Sequence, residues 1–319
     1  MSVIGLDLGA TKLAAAIFSD EGELLLKEAH SLNGRTGVEV GMLISGTLLS
    51  LIEKLQEGEE PVTAVGCCVP GIAWSESGKV WAPNIPGWEN YPLLEELKQV
   101  CEPKGITVAI DNDRACYILG EVWKGAAKGC RDAIFLAVGT GIGAGILADG
   151  KILRGTNDIA GAIGWLALDK PFQDKYTGIG CFEYNASGTG IVRVAKEMLA
   201  SNPGHSSRLR DLEESALTAV DIFRAYEKGD PLAILALDQA VQYWGMTTAN
   251  LVSLFNPEKI IFGGGVFGPA VQFLAAIADE ARKWAQPISM QKVKLEPSTL
   301  AGDAGLVGAG YLAYLHLKA

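Results

Sequence analysis

Short apolar runs separated by turns open the chain. Residues 3–8, 13–18 and 23–26 form three such runs, which predicts a three-stranded meander. Apolar residues then recur every three or four positions between 37 and 55, which predicts a helix. The rest of the first half is predicted to hold strands at 62–69 and 107–110 and a helix at 114–124.

The same pattern begins again after residue 132. Strands at 133–138 and 144–147 flank the glycine turn 139–143, and a strand at 258–262 ends in glycines 263–265. Helices are predicted at 187–201, 218–228, 231–254, 269–284 and 303–317. Two matched features in the same order indicate an internal duplication. We therefore expect two α/β domains that face a cleft, with ligands at the strand ends.

The two glycine turns can be superposed without a gap at their first glycines. This aligns Leu8 with Val138 and Ala14 with Ala144. The alignment supports the duplication.

Composition narrows the possible classes of protein. With 49% apolar and 20% charged residues among 319, the chain is not disordered. A net charge of −10 argues against non-specific nucleic-acid binding. The chain has no apolar run of 18 residues and no basic N-terminal segment, so neither a membrane span nor a signal peptide is expected. Six cysteines without a CxxC pair indicate reduced cytoplasmic thiols, and three separated histidines exclude His-rich metal motifs.

The two hairpin turns are candidate phosphate sites. The first, Asp7 to Lys12, offers closely spaced backbone N–H groups around Gly9, the Thr11 hydroxyl and the Lys12 ammonium. The second offers glycine N–H groups, and its members are Gly139, Thr140, Gly141, Ile142 and Gly143. Such turns form concave anion sites. Neither a P-loop nor a GxGxxG motif is present. Each hairpin alone is commonly only a turn, but the pair favours phosphate binding.

A polar sequence follows the strand at 107–110. Asp113 lies between this strand and the next helix and is a candidate N-cap. In the alternative, one carboxylate of the sequence Asp111-Asn112-Asp113 is a general base for a substrate hydroxyl. In the second case Asn112 would orient that hydroxyl. The residues alone leave both alternatives open.

Two loops hold side chains suited to a sugar. The loop 83–88 contains Asn84 and Trp88, although a structural role is the default for such a loop. The second loop runs from Gly178 to Glu183. Its Glu183 could bind a sugar hydroxyl or serve only as an acidic residue in the first turn of a helix.

Taken together, these motifs resemble the ROK-family sugar kinases of the actin-like ATPase superfamily. The matching motifs span nearly the whole chain, and in order they are Asp7–Lys12, Val69–Gly71, Asn84–Trp88, Asn112–Asp113, 119–125, 138–145, 263–265 and 303–309. The resemblance implies a duplicated actin-like (ribonuclease H-like) α/β fold with two domains and an interdomain cleft. The small domain is expected at 1–115 plus the C-terminal helix 303–319, and the large domain at 116–302.

The resemblance also implies a role for each matching residue. Asp113 would be the general base, and Asp7 would position Mg²⁺ through water. The expected ATP and phosphate contacts are Asp7, Gly9, Thr11, Lys12, Gly139, Thr140, Gly141, Gly143, Gly264 and Gly265. The expected sugar contacts are Asn84, Asn112, Glu183 and Gly71.

The chain departs from the family pattern on the sugar side. Ala162 stands where the family has a sugar-binding Glu, and Trp165 where it has a His that binds sugar and often zinc. Of the family's cysteine ligands for zinc only Cys181 remains, so no structural zinc is expected. We expect Trp165 and Tyr176 to hold this loop by packing instead.

The resemblance implies an ATP- and Mg²⁺-dependent kinase of a hexose or related sugar, cytoplasmic and homodimeric, with glucose as the first candidate acceptor. Its partners would be a sugar and a nucleotide, with no nucleic acid or membrane. The alternatives are a non-catalytic sugar-binding or sensing ROK protein and a kinase for a non-glucose sugar or cyclitol. The chain starts directly at the first strand of the kinase fold, which argues against a DNA-binding repressor. The sequence leaves open whether the donor is ATP or polyphosphate.

Overall fold

The structure, a computed structural model, describes residues 1–56 and 61–318. Contacts divide the chain into two compact units. The first unit comprises 1–129, 152–160 and 302–319, and the second comprises 130–151 and 161–301. The sequence-based boundaries lie elsewhere and stay predictions; their ranges also include 57–60 and 319, outside the described residues.

The elements follow one another in an α/β order. The first unit contains β1 (Ser2–Leu8), β2 (Lys12–Ser19), β3 (Leu24–Ser31), α1 (Gly37–Gln56), β4 (Val62–Val69), β5 (Ile72–Ala73), β6 (Val80–Trp81), α2 (Leu93–Cys101), β7 (Thr107–Asn112) and α3 (Asp113–Lys124). Next come β8 (Ala133–Val138), β9 (Ile142–Ala148), β10 (Lys151–Ile152), α4 (Cys181–Ala186), α5 (Gly188–Ser201), α6 (Ala219–Glu227), α7 (Pro231–Phe255), β11 (Lys259–Gly263), α8 (Leu274–Arg282), α9 (Pro287–Lys292) and β12 (Lys294–Pro297). The C-terminal helix α10 (Ala304–Leu317) belongs to the first unit.

Two five-stranded sheets have the same strand order. One runs β3-β2-β1-β4-β7 and the other β10-β9-β8-β11-β12. In each sheet an antiparallel hairpin is followed by two parallel strands. The duplication predicted from the glycine turns is therefore confirmed.

The two hairpins differ in length by one residue. Leu8 pairs with Leu13 across the first turn, whereas Val138 pairs with Ile142 across the second. The ungapped alignment is right up to the turn and wrong beyond it, because the second turn is shorter. Ala14 therefore corresponds to Gly143, not to Ala144.

Helices cover both faces of the first sheet. Alternate residues of β1, such as Ile4 and Leu6, pack in one core with α1 and α2. The other face carries α10 at very close range. A Cβ at Gly5 would lie 2.7 Å from the Leu306 carbonyl oxygen, and one at Gly66 would lie 1.9 Å from that of Ala309. Only glycine at these positions lets α10 lie so close to the strands that end at the candidate site.

Helices α4 to α9 pack with β8, β9 and β11 around the core of the second unit. Of the helices in the described part of the chain, none has the length and apolarity needed to cross a lipid bilayer.

Candidate active site

Three parallel strands of the first unit end beside one another and carry polar residues there. Cys68 of β4 is in register with Asp7 of β1 and with Asp111 of β7. Because paired residues of parallel strands project to the same face, these three side chains form a row at the carboxyl edge of the sheet.

Helix α3 begins directly at this edge, and its cap is Asn112. The Asn112 Oδ1 accepts a hydrogen bond from the Ala115 N–H at 3.0 Å. Asp113 is the first helical residue, and its Oδ1 accepts from the Arg114 N–H at 2.8 Å. The prediction that Asp113 is the N-cap is therefore wrong, because its neighbour satisfies the helix.

The surroundings of Asp113 suit a base. Burial raises the pKa of this half-buried carboxyl to about 6, the Asp7 charge also raises it, and Arg114 opposes the shift. Such a carboxylate is mostly ionised at neutral pH and is more basic than an ordinary Asp.

Asn112 is largely engaged by its neighbours. It is 4% exposed, and its Nδ2 donates to Asp111 Oδ1 at 3.1 Å while Oδ1 caps α3. An amide has two donor hydrogens, so one stays available to a ligand. The expected sugar contact of Asn112 is thus restricted to one donated hydrogen bond.

Asp7 lies under the start of α10. A Cβ at Gly305 would lie 2.7 Å from Asp7 Oδ2, so glycine leaves room for the carboxylate. Burial raises the pKa of Asp7, whereas a hydrogen bond from the Cys68 thiol and the charge of Lys12 oppose the shift. The first phosphate hairpin follows at once: the Gly9 N–H donates to the Lys12 carbonyl oxygen at 2.9 Å. Thr11 and Lys12 are exposed there.

The second hairpin is held by groups of its own unit. The Gly139 N–H donates to the Gly141 carbonyl oxygen at 2.9 Å, and the Gly188 N–H donates to that of Gly139 at 2.8 Å. Thr140 and Gly143 belong to the same turn region, and the Thr140 carbonyl accepts from the Thr189 hydroxyl at 2.9 Å.

Gly264 lies against the strand that leads into this hairpin. Its φ is +86°, and a Cβ there would lie 2.4 Å from the Val138 carbonyl oxygen, so only glycine fits. Gly265, which follows, has open space at its Cβ position. The predicted adenosine-side glycines and the second hairpin thus meet at one edge of the second sheet.

Glu183 contacts the second hairpin directly. Its Oε2 accepts from the Ile142 N–H at 2.7 Å, and burial raises its pKa. A Cβ at Gly141 would lie 2.9 Å from this same oxygen. Glycine at 141 therefore makes room for Glu183, a reason that the sequence did not indicate.

The loop expected on the sugar side is partly structural. Trp88 is fully buried, stacks on Tyr91 and donates its indole N–H to the Gly37 carbonyl at 2.9 Å. The interpretation of Trp88 as a sugar platform is therefore wrong. Asn84 is exposed on the same loop and stays a candidate.

Gly71 follows β4 with φ +85°, and a Cβ there would lie 2.1 Å from the Trp81 carbonyl oxygen. Its own carbonyl accepts from Arg114 Nη2 at 3.3 Å. The backbone at Gly71 is thus fixed beside α3, where it stays a candidate for substrate contact.

The loop that carries zinc ligands in the family is packed unevenly. Tyr176 is 4% exposed and donates to Asp169 Oδ2 at 3.0 Å, so its predicted packing role is confirmed. Trp165 is 57% exposed, so its predicted packing role is wrong. Within residues 1–56 and 61–318, no three His, Cys, Asp or Glu side chains lie together as a metal site.

The sequence analysis missed the ion-pair partner of Asp111, two positions before Asp113. Arg154 forms an ion pair with Asp111, which is 3% exposed. Asp111 was visible beside Asn112, but nothing in the sequence paired it with Arg154, 43 positions away.

Comparison with known proteins identifies relatives over almost the whole chain. The sequence profile of the ROK family matches residues 3–315. The glucokinase of Halalkalibacterium halodurans is 33% identical over 318 residues, covering 97% of this chain and 94% of the relative.

The chain belongs to the ROK family.

Other ROK proteins resemble it over a similar span. A solved Streptomyces griseus ROK glucokinase, in complex with glucose and AMPPNP, is 29% identical with a TM-score of 0.75, covering 99% of this chain and all of that one. The xylose repressor of Caldicellulosiruptor bescii is 30% identical, covering 96% of this chain and 76% of the repressor. The predicted actin-like α/β fold is confirmed for this ROK protein, while its individual site residues stay predictions.

Proposed function

We propose that this ROK protein transfers the γ-phosphoryl group of ATP to a hydroxyl of a hexose or related sugar, with Asp113 as the general base. The observation that carries the proposal is the half-buried Asp113 carboxyl, with a pKa of about 6, at the edge of the first sheet. The similarity to glucokinases over almost the whole chain supports the same reaction.

The two hairpins are assigned to the phosphates. In the first, Gly9, Thr11 and Lys12 would contact phosphate oxygens, because an exposed ammonium and hydroxyl stand beside backbone N–H groups. In the second, the contacts would come from Gly139, Thr140, Gly141 and Gly143. Gly264 and Gly265 would lie along the adenosine.

Asp7 is assigned to Mg²⁺, through a water molecule. Mg²⁺ commonly uses one or two carboxylates together with phosphates and waters, so the single half-buried carboxylate of Asp7 fits it. The ion would neutralise phosphate charge.

The acceptor would be held by Asn84, Asn112, Glu183 and the backbone at Gly71. Asp113 would take the proton of the attacking hydroxyl as the new O–P bond forms and the bond from Pγ to the bridging oxygen of ADP breaks. Positioning and charge neutralisation supply most of the rate in such reactions, and the base contributes a smaller factor.

The assembly is proposed to be a homodimer. Leu254, Trp284 and Ile288 are 73%, 63% and 64% exposed, and Ser253 Oγ accepts from the Gln286 N–H at 3.1 Å, which draws their segments together. Such a patch is suited to burial against a second copy. A cytoplasmic location is proposed from the six free thiols and the use of ATP. Sedimentation analysis would measure the oligomeric state.

A sensing protein without turnover is the competing function, and similarity to the xylose repressor favours it. Asp113 and Lys12 are the residues that a binding-only protein would not require. Both functions include sugar binding, so turnover alone distinguishes them.

The test is sugar-dependent ADP release, measured in a coupled assay across hexoses, amino sugars and cyclitols, with polyphosphate as a second donor. At least one acceptor should be phosphorylated, and Asp113→Asn should lower kcat by roughly 100-fold or more. Asp149→Asn, at an 85% exposed side chain, is the matched control and should retain activity. Sugar binding without any ADP release would support the sensor, and a near-normal kcat in folded Asp113→Asn would refute the base.

A further inference from the structure

A nine-residue segment of the first unit lies in the sequence between two stretches of the second unit. Residues 152–160, here called the crossing segment, belong to the first unit, although the chain before and after them belongs to the second. The segment closes on itself through a hydrogen bond from the Ala160 N–H to the Arg154 carbonyl at 3.0 Å.

Two anchors hold the crossing segment independently of the Arg154 side chain. Asp158 is 6% exposed, and its Oδ2 accepts from the N–H and the hydroxyl of Ser75 at 2.9 and 3.0 Å. The Ile159 carbonyl accepts from Arg114 Nη1 at 3.4 Å. The segment therefore keeps one side-chain and one backbone attachment when Arg154 is changed.

The Arg154 side chain reaches Asp111 from this segment. Its Nη2 contacts Asp111 Oδ2, while the other oxygen, Oδ1, accepts from the Asn112 N–H at 2.8 Å and from Asn112 Nδ2 at 3.1 Å. Both oxygens of one buried carboxylate are thus used: one by Arg154 and one by the residue that caps α3.

This chain of contacts ends at the base. Asn112 can cap α3 only when its Oδ1 faces the Ala115 N–H, and the bond from Nδ2 to Asp111 fixes that orientation of the amide. The cap in turn fixes Asp113 as the first helical residue.

We propose that Arg154 is a positioning residue for phosphoryl transfer, which acts through Asp111 and Asn112 to hold the Asp113 carboxylate in its reactive orientation. The proposal rests on the proposed kinase function and adds a residue to it. Arg154 touches neither Asn112 nor Asp113 in the described hydrogen bonds, so its effect is transmitted by Asp111.

Electrostatics explain why an arginine is needed. Burial raises the pKa of Asp111, and the nearby Asp158 charge raises it further, whereas Arg154 lowers it. A buried carboxylate deprived of its cation would take up a proton or rearrange. Either change disturbs an oxygen to which the Asn112 N–H groups now donate.

The experiment compares Arg154→Gln, Arg154→Lys, Asp111→Asn and the double variant Arg154→Gln/Asp111→Asn. Arg154→Gln should lower kcat about 10- to 100-fold, the effect of a slightly misplaced group, with a much smaller change in the sugar KM. Arg154→Lys should recover part of kcat because it keeps the charge. The double variant should be no worse than the poorer single variant, because both changes break one linkage. Arg131→Gln, which breaks an exposed Arg–Asp pair, is the matched control and should be unchanged.

Three results would overturn the proposal: multiplying effects in the double variant, a loss confined to KM, or an Arg154→Gln enzyme as active as Arg131→Gln. Hydrogen exchange separates this proposal from the kinase assignment. Amides at 111–118 should exchange faster in Arg154→Gln than in wild type whether or not an acceptor sugar has been found. Unchanged exchange would refute the positioning role, whereas a wild-type protein that phosphorylates no sugar would refute only the proposed function.

Discussion

The Asp113 side chain is available for chemistry because its neighbour, Asn112, caps helix α3. Asn112 satisfies the start of α3, so the Asp113 carboxylate has no capping role and accepts, among the described hydrogen bonds, only from local backbone. Burial then raises its pKa to about 6, although the Arg114 charge opposes the shift. The N-cap and the candidate base are adjacent residues, so the sequence of the Asn-Asp pair is compatible with both roles.

The pH dependence of the reaction should report this carboxyl. The base must be deprotonated, so kcat/KM should be constant at neutral pH and fall as the pH drops through about 6, rather than through the ordinary Asp range near 3.8. Steady-state rates from pH 4.5 to 8.5, at saturating ATP, would measure the midpoint.

Asp113→Asn supplies the control for that profile. Its residual activity should lose the limb near pH 6, because the titrating group is gone, while Asp149→Asn should keep it. If the rate of Asp113→Asn still falls with the same midpoint near pH 6, the titrating group is another residue.

Among the elements, long periodic segments and glycine-bounded strands could be predicted, and weakly patterned ones could not. Strand β4 and helix α7 lie within a residue of the predicted bounds. Helix α2 was missed, although Leu93, Leu97 and Cys101 recur at helical spacing within its nine residues. Strand β12 gives almost no signal, since it lies at an edge and is not fully buried.

In the site, residue types could be predicted but not their surroundings. The sequence offered two tryptophans for two roles, and the structure buries Trp88 and exposes Trp165, the reverse of the expectation. Turn length, the pairing of Arg154 with Asp111 and the contact of Glu183 with Ile142 depend on tertiary packing, which local pattern does not encode.

The second hairpin can be tested at Gly139. A Cβ there meets nothing within 4 Å, so Gly139→Val should fold normally and crowd only a bound phosphate. Loss of one hydrogen bond to a charged oxygen, about 1.5–3 kcal/mol, should weaken ATP binding about 10- to 150-fold. Calorimetry should show sugar affinity unchanged.

Gly204→Val is the matched control, since Gly204 also has open space at its Cβ position. Gly141→Val should weaken ATP as well, but it also displaces Glu183 and is the less specific variant. Equal ATP affinity in Gly139→Val and Gly204→Val would mean that the hairpin is only a turn.

The loop around Tyr176 should be independent of metal. The family's ligand positions hold Trp165, Asp174, Tyr176 and Cys181, which offer at most one thiolate and one carboxylate, and structural zinc needs four good ligands. Tyr176 instead packs in the core and bonds to Asp169. Treatment with a zinc-selective chelator, with Mg²⁺ kept in excess, should therefore leave the melting temperature and activity unchanged, and elemental analysis should find no stoichiometric zinc. One zinc per chain would refute this, and Tyr176→Phe, which keeps the packing but removes the bond, should lower the melting temperature slightly.

Across the whole molecule, this chain keeps the family's phosphate-side residues more completely than its sugar-side residues. The phosphate side keeps both hairpins, Asp7 and the glycines at 264 and 265, whereas the sugar side has lost two polar groups, at Ala162 and Trp165. The methyl group of the half-buried Ala162 offers no hydrogen-bonding atom to a sugar hydroxyl, and the exposed Trp165 offers only its indole N–H. We therefore expect this protein to keep the family's phosphoryl-transfer reaction but to differ in which sugar it accepts.

The replaced side chains should affect recognition of carbon-1 and carbon-2 of the sugar. By the family resemblance, this is the end of the sugar that the family's Glu and His contact. A site that hydrogen-bonds a hydroxyl rejects the analogue lacking it by several orders of magnitude, whereas an apolar site discriminates by about 10- to 200-fold at most. The ratio of kcat/KM for glucose over 2-deoxyglucose should thus stay below about 100, as measured by ADP release with both sugars. Ala162→Glu restores the carboxylate and should increase the ratio, while Ala160→Glu, two positions earlier, should not. A wild-type ratio of several thousand, or no response to Ala162→Glu, would mean that other residues read this end of the sugar.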